Sequence, residues 1–211
     1  LHALPRDLVL SEPWLSFYLY MTRRFKAVSR DPSLLQNVYN EFKANKEWRG
    51  QFLSLAALLE AVIALGLPWK NLGFFLNEAK ALLESTNPAS YAYERAMLFS
   101  LYGYGHALRG NLTEGLLALQ NSILLAGGLK DTMLLSSALS HTIVALTLSG
   151  NYSSAEEHAE RLEKVVLECP LAEMQTLYFL TNSLFLSFKG ESERAKTLID
   201  SAWRCVEEYG L

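Results

Sequence analysis

Toward the end of the chain, apolar side chains recur at Ala195, Leu198, Ile199, Ala202, Trp203, Val206 and Tyr209, while Glu193, Arg194, Lys196, Asp200, Arg204 and Glu207 fall between them. Steps of three and four residues gather the first set on one side of a helix and the second on the other, which predicts an amphipathic helix packed along one face. Segments 52–66 and 176–188 are apolar nearly all round. That is the pattern of a helix enclosed by neighbours in a stack. No stretch shows the two-residue alternation of a half-buried strand.

The punctuation between these runs is regular. Gly110, Gly150 and Gly190 are spaced by 40 residues, and each stands between an apolar run and a polar helix start. A small residue, Gly115, Ala155 or Ala195, follows five residues later each time. Stepping back by 40 lands on Lys70, just after Pro68 and Trp69, and on Arg30, just before the helix-opening pair Asp31 and Pro32. Gly50, Pro88, the doublet Gly127 and Gly128, and Pro170 mark the ends of successive units. The fold class expected is therefore all-α. The chain reads as one α-solenoid domain of about five helix pairs, spanning roughly 12–50, 51–88, 89–130, 131–170 and 171–211. Within LYGYGHALRGN, Gly103 and Gly105 suggest a dinucleotide-binding loop, but Leu108 occupies the place of its third glycine. Gly103, seven residues before its hinge, is assigned instead to a close crossing of two helices.

Composition narrows the function classes. Of 211 residues half are hydrophobic, so the chain can bury a sizeable core without metals or disulfides. With 19 basic and 22 acidic residues the net charge is −3, and RRFK at 23–26 is the longest basic run, which gives no electrostatic footprint for nucleic acid. Cys169 and Cys205 form no CxxC pair and read as buried thiols of a reducing compartment, so a cytoplasmic location is expected and the sequons at Asn111 and Asn151 are read as unused. The apolar stretch 52–68 is short for a membrane span and carries Glu60, so it reads as a core helix. A chain beginning at leucine is expected to be a piece of a longer protein.

The sequence contains no GxxxxGK[ST], HExxH, GxSxG or EF-hand loop. His2, His106, His141 and His158 lack ligand-like spacing, so no metal and no cofactor is expected. His106 and His141 read as satisfied core or groove histidines, and Glu156, Glu157, Glu160 and Glu163 as a solvated outer face. The four tryptophans, Trp14, Trp48, Trp69 and Trp203, read as core anchors. Nothing pairs a nucleophile with a base, so the expectation is a non-enzymatic protein.

Two resemblances carry the reading further. GNYSSA at 150–155, between two apolar helices, resembles the hinge of a tetratricopeptide (TPR) repeat, and Gly103 falls where that pattern prefers a small residue. This implies a right-handed, TPR-like array. Ile143 and Ser183 depart from the small residue, and the period exceeds the usual repeat of about 34. ALPRDLVLSEPWLSFYLYMTRRF, then DPSLLQNVYNEF, then EWRGQFLSLAALLEAVIALGLPWKNLGFFLNEAKALLE is similar to the TPR-like region of large bacterial transcriptional activators. These are the LuxR-type ATP-binding regulators and the bacterial transcriptional activation domain proteins. The match covers roughly residues 3–85. It implies a regulator, but the family's P-loop ATPase and helix-turn-helix are not in these residues.

Solenoids bind with the inner helices of their concave side. The columns six, ten and thirteen residues before each hinge supply the candidate ligand or partner site: Phe17, Tyr20, Arg24, Glu60, Met97, Ser100, Tyr104, Ser137 and Ser140. The same columns carry Leu177, Leu180 and Leu184 in the last unit, where they suit a partner or the core, so a homo-oligomer stays open. The function expected is a sensor or coupling domain of a bacterial transcriptional regulator that binds a small-molecule effector or a protein or peptide partner, without contacting nucleic acid or membrane. The alternative is a general protein-interaction adaptor that takes a peptide or partner helix. A third reading, an enzyme with its site in the groove, lacks a nucleophile and base pair to support it, and the columns themselves also read as ordinary inner-face residues.

Overall fold

The computed structural model describes residues 12–23, 32–64 and 71–210. Among them are ten α-helices and no strand, so the chain is all-α. The helices are α1 Pro13–Arg23, α2 Pro32–Ala44, α3 Trp48–Ala64, α4 Leu72–Ser85, α5 Ala92–Leu108, α6 Leu112–Leu129, α7 Thr132–Leu148, α8 Tyr152–Glu168, α9 Ala172–Phe188 and α10 Ser192–Tyr209. Arg30, Asp31, Pro68, Trp69 and Lys70, and the ends of the first segment of the activator resemblance (residues 3–11 and 24–25), lie outside the described residues. The helices fall into two compact units, Leu1–Leu98 and Phe99–Leu211, with the division inside α5.

Three turns share one geometry. Gly110, Gly150 and Gly190 have φ of 83°, 77° and 83°. Each glycine N–H donates to the residue three back, Ala107, Thr147 or Ser187, at 3.0–3.1 Å. The next N–H, of Asn111, Asn151 or Glu191, donates to the residue five back, His106, Leu146 or Leu186, at 2.9–3.0 Å. This paired closure satisfies carbonyls that a helix end leaves free. Glycine recurs because a Cβ is disfavoured at positive φ, by about 1–2 kcal/mol.

Two punctuation marks behave otherwise. Gly127 and Gly128 lie in the last turn of α6, and Lys130 takes the left-handed conformation at φ 54°. Asp131 then caps α7 by accepting from the Leu134 N–H at 2.9 Å. α6 runs on through both glycines to Leu129, although each helical glycine costs roughly 1 kcal/mol and the residues of this last turn are exposed. Gly50 lies in the first turn of α3, where the Phe42 ring approaches so closely that a Cβ would sit 2.5 Å from it.

In the first unit α1 packs on α2, α2 on α3 and α3 on α4. As its all-round apolarity predicts, α3 is enclosed: Phe52, Leu55, Leu58, Leu59 and Val62 are buried with Leu35 and Phe42 of α2 and Leu72 and Leu76 of α4. Trp14 meets Phe42 at a centroid distance of 4.8 Å. Arg95, buried at the start of α5, donates through Nη1 to the Leu83 carbonyl at 3.1 Å and to Thr86 Oγ1 at 2.8 Å, closing the end of α4. Burial holds this guanidinium below its usual pKa, so its stabilising bonds are set against a desolvation cost. Arg95→Met, which keeps the stem but frees the carbonyl, is expected to cost about 1–2 kcal/mol. Urea unfolding measures it.

In the second unit α6 packs on α7, α7 on α8, α8 on α9 and α9 on α10, while α7 also packs on α9. The core runs through Leu139, Ile143 and Leu146 of α7, Ala155, Leu162 and Val166 of α8 and Met174 and Phe185 of α9. At the α5–α6 crossing a Cβ on Gly103 would lie 2.6 Å from the Gly115 carbonyl oxygen, and one on Gly115 2.7 Å from that of Gly103. The two backbones touch, as the position of Gly103 predicts. Cys169 and Cys205 are half-buried free thiols. Trp203 is exposed, in contrast to the core role expected of it. Among the described residues no helix is long and apolar enough to cross a membrane.

Candidate functional site

The candidate residues do not form one set. Phe17 and Tyr20 are each only 4% exposed, so their rings belong to the core of the first unit. Glu60 on α3 and Met97 on α5 are half-buried, and Arg24 lies outside the described residues. In the second unit, however, Ser100 and Tyr104 of α5 converge on a residue of α7 that the columns left out, His141.

Ser100 Oγ lies 2.8 Å from His141 Nδ1, a hydrogen bond whose direction depends on which ring nitrogen carries the proton. Tyr104 stacks on the same imidazole, with centroids 4.5 Å apart and planes within 10°. Ser100 and Tyr104 are one helical turn apart, so a single residue of the facing helix reaches both. Ser137, one turn before His141 on α7, is half-buried, as are Tyr104 and His141. Ser136 and Ser140 are fully buried, and among the described residues their hydroxyls have no hydrogen-bond partner.

Burial sets the protonation states. It lowers His141 from 6.5 to about 4, so the ring is neutral at physiological pH. Burial also raises Tyr104, which stays a phenol. The accessible surface therefore combines a phenol, a neutral imidazole and the Ser137 hydroxyl, three uncharged groups that donate and accept hydrogen bonds beside a flat aromatic pair. Ser100 and His141 have the separation of a nucleophile and its base. Yet Ser100 is buried, and among the described residues no carboxylate contacts the ring to orient it.

Cavities lie elsewhere among the described residues. In the first unit one of about 270 Å³ is lined by Tyr39, Lys43, Gln51 and Glu78 among others. Tyr39 donates to Glu78 Oε2 at 2.6 Å, and Lys43 donates to the same oxygen. Burial pushes the Glu78 carboxyl up, but these bonds and the ammonium charge outweigh it and hold the group below its usual value. In the second unit a cavity of about 450 Å³ lies between α6 and α8, with Gln120, Thr142, His158 and Arg161 in its walls. Another of about 350 Å³ lies between α8 and α10. Its walls include Glu156, Glu160 and Glu163, so three members of the expected solvated face border a recess, opposite Arg194 and Thr197. Burial and the neighbouring Glu163 carboxylate raise the pKa of Tyr178 in its floor. None of the nine candidate residues lines these three cavities. No group of three His, Cys, Asp or Glu among the described residues is placed to hold a metal ion.

His141 carried one sequence signal. It follows Ser100 by 41 residues and Tyr104 by 37, both close to the 40-residue spacing of Gly110, Gly150 and Gly190. Compared with known proteins, the chain matches no family model and no curated sequence.

Proposed function

We propose that this chain is a non-enzymatic sensor or coupling domain of a bacterial transcriptional regulator, built of TPR-like repeats with a 40-residue period. It binds a small uncharged effector, or a polar stretch of a partner protein, at Tyr104, Ser137 and His141. The observation that carries the binding reading is the Tyr104–His141 stack, with Ser100 bonded behind it: a prearranged aromatic and polar surface with no charge to neutralise. The regulator reading rests on the similarity of residues 3–85 to the activators. Occupancy reaches the rest of such a regulator only if ligand prefers one arrangement of α5 against α7, since a ligand shifts an equilibrium by its differential affinity alone.

Screening a metabolite and peptide library by melting shift tests the site. For any hit, Tyr104→Ala is expected to weaken binding about tenfold or more, with a smaller change in melting temperature than a core substitution gives. A hit that binds Tyr104→Ala and His141→Gln as tightly as the native chain would overturn the assignment. A full-length gene product with neither a P-loop nor a helix-turn-helix would favour the adaptor instead.

A further inference from the structure

The last helix pair exposes apolar side chains at positions that the preceding pair covers. The hinges at Gly150 and Gly190 put equivalent positions 40 residues apart. Ser140 on α7 and Ala159 on α8 are 1% and 9% exposed, whereas their counterparts Leu180 on α9 and Ile199 on α10 are 50% and 49% exposed. Trp203, one turn beyond Ile199, is 63% exposed, and its counterpart Glu163 on α8 is exposed as well, at the border of a cavity it shares with Tyr178 and Arg194. The first pair is covered because α7 packs on α9 and α8 faces α10. The same flank of α10 carries Ile199 and Trp203 outward, an apolar strip that awaits a helix.

The flanking charges indicate which helix. Lys196 stands one turn before the strip and Glu207 one turn after it, so a base marks its N-terminal end and an acid its C-terminal end. Glu207 accepts from Trp203 Nε1 at 2.8 Å, which holds carboxylate and indole side by side. The pairs Lys196 and Glu207, and Ile199 and Trp203, share a midpoint at about Ser201. Two copies of α10 laid antiparallel about a two-fold axis at that point set each Lys196 opposite the other's Glu207 and each Trp203 against the other's Ile199. A parallel arrangement would set like charge against like. Such a strip is complementary to itself, as a two-fold interface requires.

We propose that α10 is a homodimerisation helix, pairing antiparallel with α10 of a second copy through Ile199 and Trp203, with Lys196 and Glu207 fixing the orientation. Sedimentation equilibrium of the chain up to about 100 µM, a range that captures micromolar dissociation constants, tests it. The native chain is expected to show twice the monomer mass. Trp203→Glu, at an exposed position, is expected to remain helical by circular dichroism and to be monomeric. Lys196→Glu is expected to weaken the dimer about tenfold, and Lys196→Glu combined with Glu207→Lys to restore it, because the swap preserves the pairing. A native chain that stays monomeric would overturn the proposal and leave the strip to another occupant, such as a further helix pair. So would a dimer indifferent to Trp203→Glu, or a charge swap that fails to restore pairing in a folded chain.

Discussion

Replacing Gly103 with leucine is expected to cost about 3 kcal/mol, at the upper end of what overpacking a contact costs, and to lower the melting temperature by roughly 10 °C. The reason is what the new side chain would meet. A Cβ at this position lies 2.6 Å from the Gly115 carbonyl oxygen and 2.9 Å from the Leu119 nitrogen, both backbone atoms of α6 that cannot rotate aside. The helices must separate, and the displacement spreads to Leu119, which is fully buried. Gly103→Ala already introduces the offending atom and is expected to show much of the loss, so the effect belongs to the Cβ rather than to the bulk of leucine. Thermal melts of Gly103→Ala, Gly103→Leu and Tyr104→Ala side by side check this. If both glycine variants melt with the native chain, α5 and α6 do not meet here.

The second large effect is on acid stability. His141 has a folded-state pKa of about 4 against 6.5 in an unfolded chain, with burial as the cause. Between those values the unfolded state binds a proton that the folded state resists, so stability rises with pH across the window and falls as pH drops from about 6.5 to about 4. The loss is complete below the folded value and amounts to at most about 3 kcal/mol, because the half-buried ring keeps some access to water. Protonation of the folded ring places a charge beside Ser100 and under the Tyr104 ring, so binding at that surface is expected to fade only as pH falls through about 4. Carboxylates titrate nearby in pH, and a difference measurement separates them. Urea unfolding of the native chain and of His141→Gln at pH 7 and pH 4.5 should show the native chain losing more stability on acidification. Equal losses, or an NMR titration placing His141 above pH 6, would refute the assignment.

The loss of function expected from Tyr104→Ala and the loss of fold expected from Gly103→Leu concern adjacent residues. One position further along a helix turns the side chain by about 100°, from the α6 contact to the α7 contact. For that reason neither substitution can stand in for the other, and the pair separates a binding surface from the scaffold that carries it.

The sequence by itself determined what depends on a residue and its near neighbours. The hinges at Gly110, Gly150 and Gly190 are legible because positive φ selects glycine and because apolar runs of helical period end just before them. The Gly103 crossing is legible from its fixed distance to the hinge. The enclosed character of α3 follows from apolar side chains on all its faces. Only the tertiary structure decided which neighbour covers which face. Helical periodicity separates Phe17 and Tyr20 from Tyr18 on α1, but not a groove from a core, and the first two are buried while Tyr18 is exposed. It put Trp203 on the apolar side of α10 without saying whether a further helix lies there. His141 looked like one isolated histidine because its partners lie 41 and 37 residues earlier in the chain. A contact between helices belongs to two elements at once and depends on their relative register, which neither element's own pattern specifies.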